Sequence, residues 1–176
     1  MSRRTVIAYW LIPAEPAHSF FQEVINDLAH RYDAPAFEPH VTIHVGANRA
    51  DAADSAISQA PRVCELIKLK ALEIGHSREF IKTLFVQFAL NKELQQLNKM
   101  IRHAAQNSSY YELKPHLSLL YKKIPAASRR ELADSIKVPF SEVIFDALRS
   151  VRCISPTRSR SDVDAWRAVT TKKLCR

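Results

Sequence analysis

The chain writes one unusual strand twice. FEPHVTIHV, residues 37–45, and LKPHLSLLY, residues 113–121, each place a histidine after a proline, then an apolar residue, a hydroxyl residue and more apolar residues. His40 and His116 stand 76 residues apart in a chain of 176, so the repeat is about half a chain long. That is too long for a solenoid unit. It predicts two similar lobes, each giving one strand to a shared cleft. Side chains alternate along a strand, so His40 faces the same way as Thr42, and His116 the same way as Ser118. Val41, Ile43, Leu117 and Leu119 then point to the buried side. Pro39 and Pro115 restrict the entry to each strand and remove a backbone donor.

The rest of the pattern supports an α+β chain. Thr5 to Ile12 is a β-rich apolar run and predicts a first strand. Pro16 opens a helix in which Phe20, Phe21, Val24, Ile25 and Leu28 recur at helical spacing. Arg49 to Ala60 predicts a helix stopped by Pro61. Val63–Ile74 and Phe80–Leu90 predict two strands around a turn at Gly75-His76-Ser77. Asn91 caps a helix from Lys92 to about Gln106. Ser128-Arg-Arg-Glu131 is a capping box and predicts a short helix from that point. Val138–Ile154 predicts a long strand, residues 157–162 a basic loop, and Val163–Leu174 a closing strand. Nothing in the pattern reads as a linker, so residues 1–176 are expected to form a single two-lobed domain.

Composition narrows the function classes. There are only two glycines, which excludes a Gly-rich phosphate loop. The net charge of +8 favours anionic partners such as nucleotides or RNA. Cys64, Cys153 and Cys175 stand far apart, without zinc or disulfide spacing, which predicts reduced thiols in a cytoplasmic protein. The opening SRRTVIAYWLIP is too short and too soon broken by Pro13 to act as a signal segment, and no run approaches the ~20 apolar residues of a membrane span. A monomer with no membrane partner is expected.

Two imidazoles and two hydroxyls facing one cleft suit chemistry on a phosphodiester. One imidazole takes a proton from an attacking water, and the other gives one to the leaving oxygen. Histidine does both because its pKa lies near neutrality. The hydroxyls of Thr42 and Ser118 can donate to non-bridging phosphate oxygens. This chemistry calls for no cofactor and no metal.

The two motifs resemble those of the 2H phosphoesterases, and in particular the cyclic phosphodiesterase branch of plants and yeast. VIAYWLIP resembles its first strand, and DVDAWRAV its closing strand, so the resemblance covers nearly the whole chain. It implies a LigT-like α+β fold. Two antiparallel sheets related by a pseudo-two-fold and flanked by helices would enclose the active site between the lobes. It also implies that His40 and His116 are the catalytic pair and that Thr42 and Ser118 bind phosphate. Tyr121 would flank the substrate; alternation alone turns Tyr121 away from His116, unless the strand twists or ends there. The substrate implied is a nucleoside 2',3'-cyclic phosphate or ADP-ribose 1'',2''-cyclic phosphate. Alternatives are an RNA-end processing enzyme, either a 2'-5' ligase or an exonuclease, and a non-catalytic nucleotide- or RNA-binding module. The departure lies at FIKTLFV, residues 80–86, where the branch carries a later aromatic and a glutamine. Here Phe80 is kept, and Lys82 and Thr83 stand in their place.

Other residues read less sharply. Trp10 is either a base-stacking platform or core, and Phe80 reads similarly. Lys82 belongs with Lys114, Lys122, Lys123, Arg158 and Arg160 to a possible basic rim. Alternation puts His44 on the His40 face, as a neighbour of His40 or, with Glu38, as part of a metal site. His18, His30, His76 and His103 are expected in solvent.

Overall fold

The computed structural model describes residues 2–63, 65–106 and 111–174. Cys64 and Cys175 therefore lie outside the described residues. Among the described residues, seven strands and five helices follow one another as β1 (Arg4–Pro13), α1 (Ala17–Tyr32), β2 (Val41–Ala47), α2 (Ala50–Val63), β3 (Ile67–His76), β4 (Leu84–Phe88), α3 (Lys92–Ala104), β5 (His116–Leu120), α4 (Ala126–Ser135), β6 (Glu142–Ser155), α5 (Arg160–Asp164) and β7 (Arg167–Lys173). A 3₁₀ turn, Phe80–Lys82, precedes β4.

The strands lie in the order β1-β2-β5-β4-β3-β6-β7, every pairing antiparallel, and β1 also pairs with β6. Six strands thus close on themselves, with β7 added outside β6. The seam between β2 and β5 is one residue pair, Val41 with Leu117. The long β6 serves both halves: Glu142–Phe145 pairs with β3, and Ala147–Arg152 pairs with β7. The result is two sheets, β7-β6-β1-β2 and β6-β3-β4-β5, sharing β6.

The half-chain repeat is visible in this topology, since β1-α1-β2-α2 is echoed by β4-α3-β5-α4. The helices are exchanged between the halves. α1 packs on β5, and α3 packs on β2 and α2. Each histidine strand is therefore backed by the helix that precedes the other one. Phe21, Ile25 and Leu28 from α1 and Leu94, Leu97 and Ile101 from α3 are all buried in this way. Each such side chain contributes roughly 1.5–3 kcal/mol on burial.

β1 is buried on both faces. Ile7, Tyr9 and Leu11 join the main core under the helices, and Ala8, Trp10 and Ile12 form a second cluster on the opposite face. This explains its unbroken apolar run.

Several element boundaries differ from the sequence reading. α2 runs through Pro61, which costs one backbone hydrogen bond in the last turn and leaves the helix intact. α4 starts at Ala126, behind Pro125, so the Ser128 capping box lies inside it. Ser159 caps a short helix, α5, where a loop was expected, and β7 begins only at Arg167. β3 runs through Gly75 and His76. Gly75 has an ordinary backbone; its role is space, because a Cβ there would run into the Phe85 ring.

Candidate active site

Both histidines stand at the entry of their strands, on the seam where β2 meets β5. His40 immediately precedes β2 and His116 opens β5. In each, Nδ1 is held by the carbonyl two residues back, across the proline: Glu38 O at 2.6 Å for His40, and Lys114 O at 2.8 Å for His116. A carbonyl only accepts, so Nδ1 carries the proton in both rings. Nε2 is left with its lone pair when the ring is neutral.

A cleft of about 370 Å³ brings the motifs together. His40, Thr42, His116 and Ser118 line it, with Trp10 and Tyr121. The sequence pairing of the two halves is thus realised in one cavity. Phe80 and Lys82 are not among its lining residues. Phe80 packs on Tyr121, ring centroids 6.1 Å apart, and Lys82 places its Nζ 4.6 Å from the centre of the Phe85 ring. The residue between them, Ile81, reaches the cleft instead.

One backbone device explains two departures from alternation. The β1–β2 register slips by a residue, pairing Tyr9 with His44 but Trp10 with Thr42, so Ile43 is a bulge. The β4–β5 register slips at the equivalent place: Phe85 pairs with Ser118 but Leu84 with Leu120, so Leu119 is a bulge. A bulge inverts the phase of the residues beyond it. His44 consequently leaves the His40 face and is fully buried beside Tyr9, while Val45 returns to the cleft. By the same inversion Tyr121, three residues past Ser118, lines the cleft.

This corrects the expected row of Glu38, His40, Thr42 and His44. Glu38 is bound to Arg149 and lies 3.3 Å from His18 Nε2, outside the cleft lining. Among the described residues no three metal-ligating side chains converge. His18, expected in solvent, is thus half-buried against Glu38. Of the expected basic rim, Lys114 pairs with Glu112, Arg160 with Asp33, and Lys122 with the Asp33 carbonyl.

The two imidazoles sit in different surroundings. His40 is buried, its ring stacked on the Trp10 indole at 3.6 Å and 13°, with the edges of Trp166 and Phe37 at 5.9 and 6.2 Å. Burial and then the nearby His116 push its pKa down to about 3. Trp10 therefore gives a ring face to His40. His116 is less enclosed, with the Phe85 ring at 5.5 Å. Burial lowers its pKa and Lys82 adds to the effect, against the Lys114 carbonyl and Glu79, which raise it.

The hydroxyls also differ. Ser118 donates to the Ile81 carbonyl at 2.7 Å and lies against the Tyr121 hydroxyl, whose pKa burial pushes up. The Thr42 hydroxyl makes no hydrogen bond among the described residues, while its carbonyl accepts from the Tyr111 hydroxyl at 3.3 Å.

Tyr111, Trp166, Arg4, Cys153 and Thr157 also line the cleft and were not singled out as site residues. Arg4 was within reach of a simple argument, since it lies on the Trp10 face of β1 by strict alternation. Trp166 and Tyr111 lie outside the strands and offered no such signal.

The match to the cyclic phosphodiesterase-like protein family extends over residues 5–174. The cyclic phosphodiesterase of Arabidopsis thaliana is 22% identical over 178 residues, covering 98% of this chain and 97% of that protein. Among solved structures, E. coli LigT complexed with 3'-AMP superposes with a TM-score of 0.58 at 16% identity, covering 97% of this chain and 98% of LigT. TT0787 of Thermus thermophilus gives 0.60 at 13% identity, with 96% and 97% covered. The chain belongs to the cyclic phosphodiesterase-like family, and so to the LigT-like 2H phosphoesterases, a class of phosphodiesterases. Among the described residues no helix is long and apolar enough to cross a membrane.

Proposed function

We propose that this protein hydrolyses a ribose cyclic phosphate without a metal, using His40 and His116 as a general acid–base pair. The observation that carries the reading is the matched tethering of the two rings. Each Nδ1 is fixed by a carbonyl across a proline, which leaves each Nε2 for the same cleft. Water attacks phosphorus and gives its proton to one Nε2. The bond from phosphorus to one ribose oxygen breaks, and that oxygen takes a proton from the other Nε2. The product is a ribose phosphomonoester. The substrate is a nucleoside 2',3'-cyclic phosphate or ADP-ribose 1'',2''-cyclic phosphate, in keeping with the Arabidopsis relative and with LigT having been crystallised with 3'-AMP.

The Thr42 hydroxyl donates to a non-bridging oxygen. Ser118 does the same once its hydrogen turns from the Ile81 carbonyl to the phosphate. The free site holds both imidazoles neutral near pH 7, since both pKa values are depressed. A bound phosphate anion favours the protonated ring and supplies the acid. The test is hydrolysis of these cyclic phosphates in excess chelator, with the product isomers identified. Turnover in chelator is expected. Turnover that appears only with a divalent ion overturns the metal-independent mechanism.

A further inference from the structure

The cleft is longer than the histidine site needs. Its floor follows one face of β1 from Trp10 through Ala8 and Val6 to Arg4. At the rise of a strand, those six steps span ~20 Å, longer than a single nucleoside. The middle of the floor is apolar and small. Beside it on β6, Cys153 pairs with Val6 and Ser155 with Arg4, and both line the cleft. At the far end Thr157, two residues past Ser155, also lines the cleft.

That far end is polar and positive. No carboxylate lines the cleft among the described residues, and Arg4 is its only fixed charge. The neighbouring Arg3 is bound to Asp162, whereas the Arg4 side chain makes no hydrogen bond or ion pair among the described residues. Thr157 commits its hydroxyl proton to the Ile154 carbonyl at 2.8 Å, which leaves Ser155 as the side-chain donor beside Arg4. An unpaired guanidinium next to a hydroxyl, at the end of a trough without acids, suits a phosphoryl group.

We propose that Arg4 and Ser155 form a second anion subsite, which binds a phosphoryl group carried by the substrate beyond the ribose cyclic phosphate that reacts. The inference deepens the cyclic phosphodiesterase reading and rests on it for the identity of the reacting end. The extended substrate carries either an internal pyrophosphate, as in an ADP-ribose derivative, or the further phosphodiesters of a short RNA. The shared chemistry is a second phosphoryl group reached along the apolar floor.

The test compares the parent protein with Arg4→Gln and Arg4→Lys. One arm measures kcat/KM for a nucleoside 2',3'-cyclic phosphate, for ADP-ribose 1'',2''-cyclic phosphate, and for a four-nucleotide RNA ending in a 2',3'-cyclic phosphate. The ratio of at least one extended substrate to the mononucleotide is expected to fall about tenfold in Arg4→Gln, mainly through KM, as for loss of a charge-assisted hydrogen bond. Arg4→Lys is expected to recover part of it. The extended substrate that loses the ratio names the source of the second phosphoryl group. A second arm needs no turnover: calorimetric affinity for ADP-ribose and for a 3'-phosphorylated RNA tetramer. At least one is expected to weaken about tenfold in Arg4→Gln. If the parent protein turns over none of the cyclic phosphates, the phosphodiesterase reading fails, and this arm still decides the subsite. Unchanged ratios and unchanged affinities in Arg4→Gln overturn the subsite.

Discussion

The His40 half and the His116 half are built to one plan and finished differently. In both, a proline precedes the histidine, a carbonyl holds Nδ1, a hydroxyl residue follows on the same face, and a bulge comes next. In both, the residue paired with the hydroxyl position is aromatic, Trp10 for Thr42 and Phe85 for Ser118. Trp10 lies flat on its imidazole, while Phe85 meets His116 edge to face with Lys82 above its own ring. The symmetric part places two imidazoles on one cleft. The asymmetric part surrounds them differently: burial lowers both pKa values, but only His116 has the opposing Lys114 carbonyl and Glu79 beside it.

Removing the symmetric part has the largest expected effect. His40→Ala and His116→Ala are each expected to lower kcat by at least ~10²-fold with the fold retained, read from steady-state kinetics and circular dichroism. Next come the hydroxyls. Thr42→Ala is expected to cost about 1.5–3 kcal/mol in kcat/KM if it donates to charge, and Ser118→Ala less, because its proton is already held by the Ile81 carbonyl. Equal losses would put the two hydroxyls on the same footing and dissolve that part of the asymmetry.

Smaller effects test the surroundings of each ring. Gly75→Ala puts a Cβ into the Phe85 ring, which also meets His116, and is expected to destabilise by about 1–3 kcal/mol in denaturant unfolding, with turnover reduced. Trp10→Phe thins the cover of His40, so the pKa of His40 is expected to rise from about 3 toward the ordinary imidazole value, followed by NMR titration. Lys82→Gln removes a neighbouring positive charge and is expected to raise the pKa of His116 by the least of these changes.

Stability carries its own pH signature. His40 and His44 are both depressed in the folded chain, to about 3 and about 4. Below about pH 6.5 the unfolded state takes up protons that the folded state does not. Their contribution is therefore complete above that value and is lost as pH falls toward 4 and 3. His44→Leu is expected to flatten the fall in melting temperature between pH 6.5 and 4 relative to the parent protein.

The plan was legible in the sequence, and the finish was not. Pro-His-x-Thr and Pro-His-x-Ser at half-chain spacing were enough to place four side chains in one cleft, because strand alternation is a local rule. Over His44 and Tyr121 that rule predicted the opposite faces. Nothing in VTIHV or LSLLY marks Ile43 and Leu119 as bulges; the slip is set by how β1 and β4 pair with them. Trp10 was readable as core or as a platform, and its stacking on His40 became visible only once β1 and β2 were side by side. Phe80 was placed near the substrate by the family resemblance and Lys82 as part of a basic rim, whereas the 3₁₀ turn sends Ile81 into the cleft and leaves both out of its lining.

The two-histidine mechanism is tested most directly by single-turnover hydrolysis of a ribose cyclic phosphate by the parent protein, His40→Ala and His116→Ala, all in chelator. Product is expected from the parent protein, with a rate at least ~10²-fold lower in each variant. A variant that keeps the parental rate would contradict the two-histidine mechanism.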